Sequence, residues 1–187
     1  SVRYLIKNGR AVVQPITLGM YERRIQEFSG SMMASRRFLE ARIRIVKEYR
    51  RIIDYLESRP DIAAEKIAYY GMSWGGAYAN LILAVEKRYR AAIVEVGGLR
   101  LEPDVRPEVR MLYYTPRIST PVLMLNGEYD LTFPLDINVR PMFDMIATPA
   151  AHKRLKVYPT DHCVPPDEYL KESLAWLDTY LGPVTYK

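Results

Sequence analysis

The spacing of apolar residues along this 187-residue chain changes several times, and each change predicts an element. Residues 11–16 (AVVQPI) are a short apolar run ahead of a loop at Gly19, the pattern of a strand. From Ser35 the spacing lengthens. Phe38, Ile45, Tyr49, Ile52 and Leu56 recur at helical intervals, Ser35 can cap the helix, and Pro60 stops the pattern. Residues 66–71 (KIAYYG) predict a strand, and 75–86 (GGAYANLILAVE) a helix with small residues at its start. A third strand is predicted at 91–98 (AAIVEVGG), then a proline- and charge-rich excursion over 99–120 with one short helix. A strand at 121–127 (PVLMLNG), a helix at about 136–147 and a strand at 153–158 (KRLKVY) follow. The last helix runs from about Asp167 to Leu181. Pro165 and Pro166 stand at its entry, and Gly182 and Pro183 end it.

Five predicted strands thus alternate with helices, and they are apolar runs rather than alternating ones. This predicts an α/β fold whose mostly parallel sheet is buried on both faces. In such folds the chemistry gathers where strands end and loops begin.

Composition narrows the function classes. The length fits one domain, and 49% hydrophobic with 26% charged residues fits a globular protein. The net charge of +5 sits largely in Arg23, Arg24, Arg36, Arg37, Arg42, Arg44, Arg50 and Arg51. These read as the solvated face of a long helix. No aromatic residues are interleaved among them as a base-stacking surface requires, so no nucleic-acid partner is expected. No apolar run reaches membrane-spanning length. Cys163 is the single cysteine, which excludes an internal disulfide and leans slightly toward a reducing, cytoplasmic compartment. Two histidines and one cysteine form no zinc-binding pattern, and no cofactor or metal is expected.

One motif changes the picture. The strand at 66–71 runs into Gly71-Met72-Ser73-Trp74-Gly75, the G-x-S-x-G pattern of a serine raised on a tight strand-to-helix turn. Gly71 and Gly75 are expected to relieve backbone collisions there. The N–H of Trp74, at the helix N-terminus, is expected to face any negative charge forming beside Ser73. The glycine spacing is not that of a dinucleotide site, and no P-loop lysine follows. A serine hydroxyl needs a base, and the base needs an orienting acid. His162 follows the last strand, whereas His152 precedes it at the opposite edge of the sheet, so His162 is the candidate base. Asp130, just past the 121–127 strand, is the candidate acid; Glu128 is a close rival and Asp136 a more distant one. Asp161 adjoins His162 too closely to reach the outer side of its ring. The order Ser, Asp, His at successive strand ends matches the α/β-hydrolase arrangement.

The phrases IAYYGMSWGG, PVLMLNGEYDLTFP and HKRLKVYPTDHCVP, with the closing SLAWLDTYLG, resemble the dienelactone-hydrolase and prolyl-oligopeptidase-like branch of the α/β-hydrolases, over about Arg10 to Pro183. The resemblance implies a three-layer α/β sandwich, Ser73 as nucleophile, Asp130 as acid, His162 as base and Trp74 as one oxyanion donor. It also implies that GRAVVQPITLGMYER lies over the site, with Met20 and Tyr21 lining the substrate pocket. In that branch an upstream strand and loop supply a second oxyanion N–H, and the strand sits beside the serine strand. Neither appears after Ser1. Residues 1–187 are therefore expected to be one α/β-hydrolase domain, the C-terminal part of a longer one, with the missing strands upstream or on a partner chain. The function expected is ester hydrolysis on a small-molecule substrate. A peptidase with the same triad and a non-catalytic interaction domain are the alternatives.

Overall fold

In a computed structural model of the protein, residues 2–24 and 33–185 are described. The elements are α1 (Arg3–Lys7), α2 (Arg36–Glu57), β1 (Ala68–Met72), α3 (Trp74–Val85), β2 (Ala91–Glu95), β3 (Val122–Gly127), α4 (Arg140–Met145), β4 (Lys153–Tyr158) and α5 (Pro166–Leu181). The four strands are parallel and lie in the order β1-β2-β3-β4.

Both faces of the sheet are covered, which explains why the central strands β2 and β3 are buried throughout. On one face Tyr69, Ala92, Val94, Val122 and Met124 pack with Ile45 and Ile53 of α2 and Ala77 and Leu81 of α3. On the other Ala91, Ile93, Leu123 and Leu125 pack with Tyr4 and Leu5 of α1 and Trp176 and Leu177 of α5. Helix α2 starts where its sequence predicts: Ser35 Oγ accepts from the Phe38 N–H at 3.1 Å. Helix α5 stops at Gly182, whose φ of 82° favours glycine.

Three expectations are corrected. Residues 11–16 form no strand, because among the described residues no ladder partner stands beside them; the observed sheet has four strands. The 99–120 excursion holds three 3₁₀ turns, Pro107–Val109, Met111–Tyr113 and Thr115–Arg117, instead of a short α-helix. Pro103, Pro107 and Pro116 withhold the N–H groups that an α-helix would use. The helix expected at 136–147 is a π turn, Leu135–Val139, running into the short α4.

The arginine-rich stretch is mostly spent in ion pairs. Arg36 meets Glu40 at 2.8 Å, Arg44 meets Glu48 at 3.4 Å, and Arg23 also reaches Glu48. Arg42 departs from the solvated-face reading. It is 2% exposed, donates to the Val109 carbonyl at 3.1 Å and to Glu102 at 2.5 Å, and stacks on Phe38 with its carbon 4.5 Å from the ring centre. This buried guanidinium fastens the 99–120 excursion to α2.

Candidate active site

Each candidate side chain leaves the carboxyl end of a different strand. Ser73 stands between β1 and α3 with φ 52° and ψ −107°, a conformation that L-residues rarely adopt. Asp130 follows β3, and His162 follows β4. Ser73 Oγ and His162 Nε2 are 2.8 Å apart, and His162 Nδ1 and Asp130 Oδ2 are 2.7 Å apart. With the ring proton on Nδ1, the imidazole donates to the carboxylate and accepts from the serine hydroxyl.

The surroundings hold this chain in place. The Asp130 carboxylate is fully buried, and its Oδ1 accepts from the N–H groups of Thr132 at 2.8 Å and Phe133 at 3.1 Å. The Phe133 ring stacks on His162, centroids 6.1 Å apart and planes 23° from parallel. The imidazole itself is about one-third exposed, so solvent can reach it. The loop carrying His162 is bound to the loop carrying Asp130. Tyr129 N–H donates to the Thr160 carbonyl at 2.9 Å, and Glu128 N–H to that of Tyr158 at 2.7 Å. Gly127 makes this approach possible: a Cβ there would stand 1.8 Å from the Asp161 carbonyl oxygen.

The rivals lie elsewhere. Glu128 is exposed, and Asp136 is exposed and paired with Arg140 at 2.9 Å. The other histidine, His152, precedes β4, with Nδ1 2.9 Å from the Tyr180 hydroxyl. Asp161 accepts from the Cys163 thiol at 3.1 Å, and that hydrogen bond holds the thiol above its ordinary pKa.

The glycines divide differently from expectation. A Cβ at Gly71 would stand 2.6 Å from the main chain of Gly75, so the collision argument holds there. At Gly75 the nearest atom would be the Tyr69 hydroxyl oxygen at 3.8 Å, an ordinary contact. The second tight position is Gly76, where a Cβ would lie 2.8 Å from Gly97 Cα. The glycine pair after β2 was the available signal for this contact. Trp74 is the first residue of α3, and its ring stacks on Tyr78 at 3.9 Å. Met20 and Tyr21 lie on a short 3₁₀ turn whose backbone hydrogen bonds, from Met20 to Thr17 and from Arg24 to Tyr21, stay within the 17–24 segment. Tyr21 is exposed.

Among the described residues no group of histidine, cysteine and acidic side chains is arranged to hold a metal ion, and no helix is long and apolar enough to cross a membrane.

Comparison with known proteins gives consistent results. The family model described as "Dienelactone hydrolase family" matches residues 3–168. No curated protein matches the chain. Among solved structures, a cold-adapted esterase from an Arctic intertidal metagenomic library is 18% identical with a TM-score of 0.68, covering 88% of this chain and 67% of its own. TT1662 from Thermus thermophilus is 20% identical with a TM-score of 0.63, covering 76% and 65%. Acetyl xylan esterase 1 from Thermoanaerobacterium is 17% identical with a TM-score of 0.64, covering 80% and 57%. At these identities the likeness is one of fold, and this chain spans about two thirds or less of each protein's length.

Proposed function

From the premise that the chain belongs to the dienelactone hydrolase family, we propose that it is a serine hydrolase cleaving a carboxylic ester through an acyl-enzyme on Ser73. The observation that carries this reading is the unbroken hydrogen-bond chain Ser73–His162–Asp130. The esterase names of two structural neighbours favour an ester over a peptide.

Ser73 Oγ attacks the ester carbonyl while His162 Nε2 takes its proton. Asp130 stabilises the imidazolium and fixes the ring orientation. Negative charge gathers on the former carbonyl oxygen, and the N–H of Trp74, the first residue of α3, would receive it. His162 then protonates the departing alkoxide and the acyl-enzyme forms. A water molecule, deprotonated by His162, releases the acid and restores Ser73. Met20 and Tyr21 belong to this reading as walls of the substrate pocket.

A fluorophosphonate probe tests the nucleophile. It should label the wild type at Ser73, and Ser73→Ala should abolish labelling. No labelling of folded wild type, under conditions where a control esterase reacts, would refute the reading and favour a non-catalytic domain. A short-chain nitrophenyl ester against a dipeptide anilide separates ester from peptide chemistry, with turnover expected of the ester alone.

A further inference from the structure

We propose that Asn126 is a positioning residue for the Ser73 turn, an inference that rests on the hydrolase reading. Its side-chain amide fixes the bend that follows β2, and that bend fixes the backbone carrying the serine hydroxyl and the Trp74 N–H.

Two strained bends stand side by side in the sheet. Ser73 has φ 52°, and Val96, the residue after β2, has φ 40°. A β-branched residue is a marked outlier in that region. Such a conformation persists only where its surroundings over-determine it. Val96 is buried, and its N–H donates to the Leu125 carbonyl at 2.8 Å. The next three carbonyls each take a side-chain amide from a different element. Asn126 Nδ2, from β3, donates to Gly97 O at 2.9 Å. Asn80 Nδ2, from α3, donates to Gly98 O at 3.3 Å, and Asn138 Nδ2, from the π turn, to Leu99 O at 2.6 Å.

The two bends are joined at two points. Ser73 N–H donates to Glu95 O at 2.9 Å, just ahead of Val96. Gly97 then packs against Gly76 so closely that a Cβ on either would stand 2.6 or 2.8 Å from the other's Cα. Gly76 lies in the first turn of α3, two residues after Trp74. Gly97 is therefore where the second bend bears on the serine turn, and its carbonyl is the one that Asn126 holds. Asn126 is fully buried, and among the described residues its Oδ1 meets no donor. An apolar residue of similar size would fill the place without desolvating an amide, so the bond to Gly97 is what the asparagine contributes. Because β3 leads on to Asp130, one side chain ties the strand bearing the acid to the turn bearing the nucleophile.

The test compares Asn126→Ala with Asn138→Ala in hydrolysis of a short-chain nitrophenyl ester and in amide hydrogen exchange of the whole chain, both well below the urea transition. Asn126→Ala should lower kcat about thirtyfold with KM within about twofold, since a shift of under ~1 Å at the reacting groups is costly. Asn138→Ala breaks a bond to the same segment, but two carbonyls beyond Gly97, and should leave kcat nearly unchanged. Exchange at the Ser73 amide should quicken about tenfold in Asn126→Ala and not in Asn138→Ala, with the α5 amides unchanged in both. If Asn126→Ala does not fold, Asn126→Ser, which leaves a smaller cavity, carries the same comparison. The proposal is overturned by an unchanged kcat, by a rise in KM alone, or by equal losses in the two variants, which would mark a general loosening of the bend. A wild type that neither turns over the ester nor takes the fluorophosphonate would sink the hydrolase reading by itself. Exchange at Ser73 needs no catalysis and then decides alone: quickening in Asn126→Ala only supports the positioning role, and its absence overturns it.

Discussion

Asp130 shows how much of the site is set by single atoms. Its Oδ2 meets the imidazole while Oδ1 receives two backbone N–H groups, so the carboxylate cannot rotate without abandoning them. Asp130→Asn would keep an acceptor toward Thr132 and Phe133 and present an NH₂ group to His162 Nδ1. The imidazole would turn its proton toward Ser73 and lose its capacity as base. We expect kcat for ester hydrolysis to fall about ten-thousand-fold, with thermal unfolding little changed. A similar fall in thermal stability would show that the carboxylate chiefly holds the fold. Ser73, Asp130 and His162 could be singled out as candidates in the sequence because each follows a predicted strand. The N–H donors of Thr132 and Phe133 could not, because a main-chain group leaves no mark in composition. The role of Gly75 was misread for a related reason: a motif records that glycines are present, not which of them is crowded.

At the scale of elements, loops decide the geometry. The loop after β3 and the turn after Tyr158 come together at Gly127, and Gly127→Ala would push the 160–162 loop aside. Ester kcat should fall at least about tenfold while KM moves less, since a displacement of ~1 Å at a reacting group is costly. Unchanged kcat would show that the loop yields without disturbing His162. On the opposite side, Arg42 ties the 99–120 excursion to α2. Arg42→Met would leave Glu102 and the Val109 carbonyl without their donor. It should lower stability by about 3 kcal/mol, less when Glu102→Gln is added, as measured by urea unfolding. The arginine pattern suggested a solvated face here, and helical periodicity alone could not reveal a partner sixty residues away. The excursion was similarly opaque: its prolines forbid a helix but do not specify which turns replace it.

For the whole molecule, Arg88 joins α2 to the loop after α3 through Asp54, Glu57 and Glu86. Its hydrogen bonds hold the Asp54 and Glu86 carboxyls below their ordinary values of 3.8 and 4.5. A carboxylate whose pKa is depressed by folding contributes stability that is complete above the ordinary value and is lost as pH falls through the folded one. Urea midpoints should therefore drop between about pH 5 and pH 3, and Arg88→Ala should flatten that drop; an equally steep fall in the variant would place the acid-sensitive groups elsewhere. The strands β2 and β3 were readable because their apolar runs are buried throughout. The fate of 11–16 was not, because a strand is defined by its neighbour as much as by its own residues.

The serine and the imidazole are 89 positions apart along the chain, and the imidazole and the carboxylate 32. Unfolding scatters them, and no local fragment can hold all three. Fluorophosphonate capture should thus double as a gauge of native population, vanishing in denaturant at the same midpoint as the circular dichroism. Capture that fades earlier would reveal the β4 end opening first, with the rest of the sheet still intact.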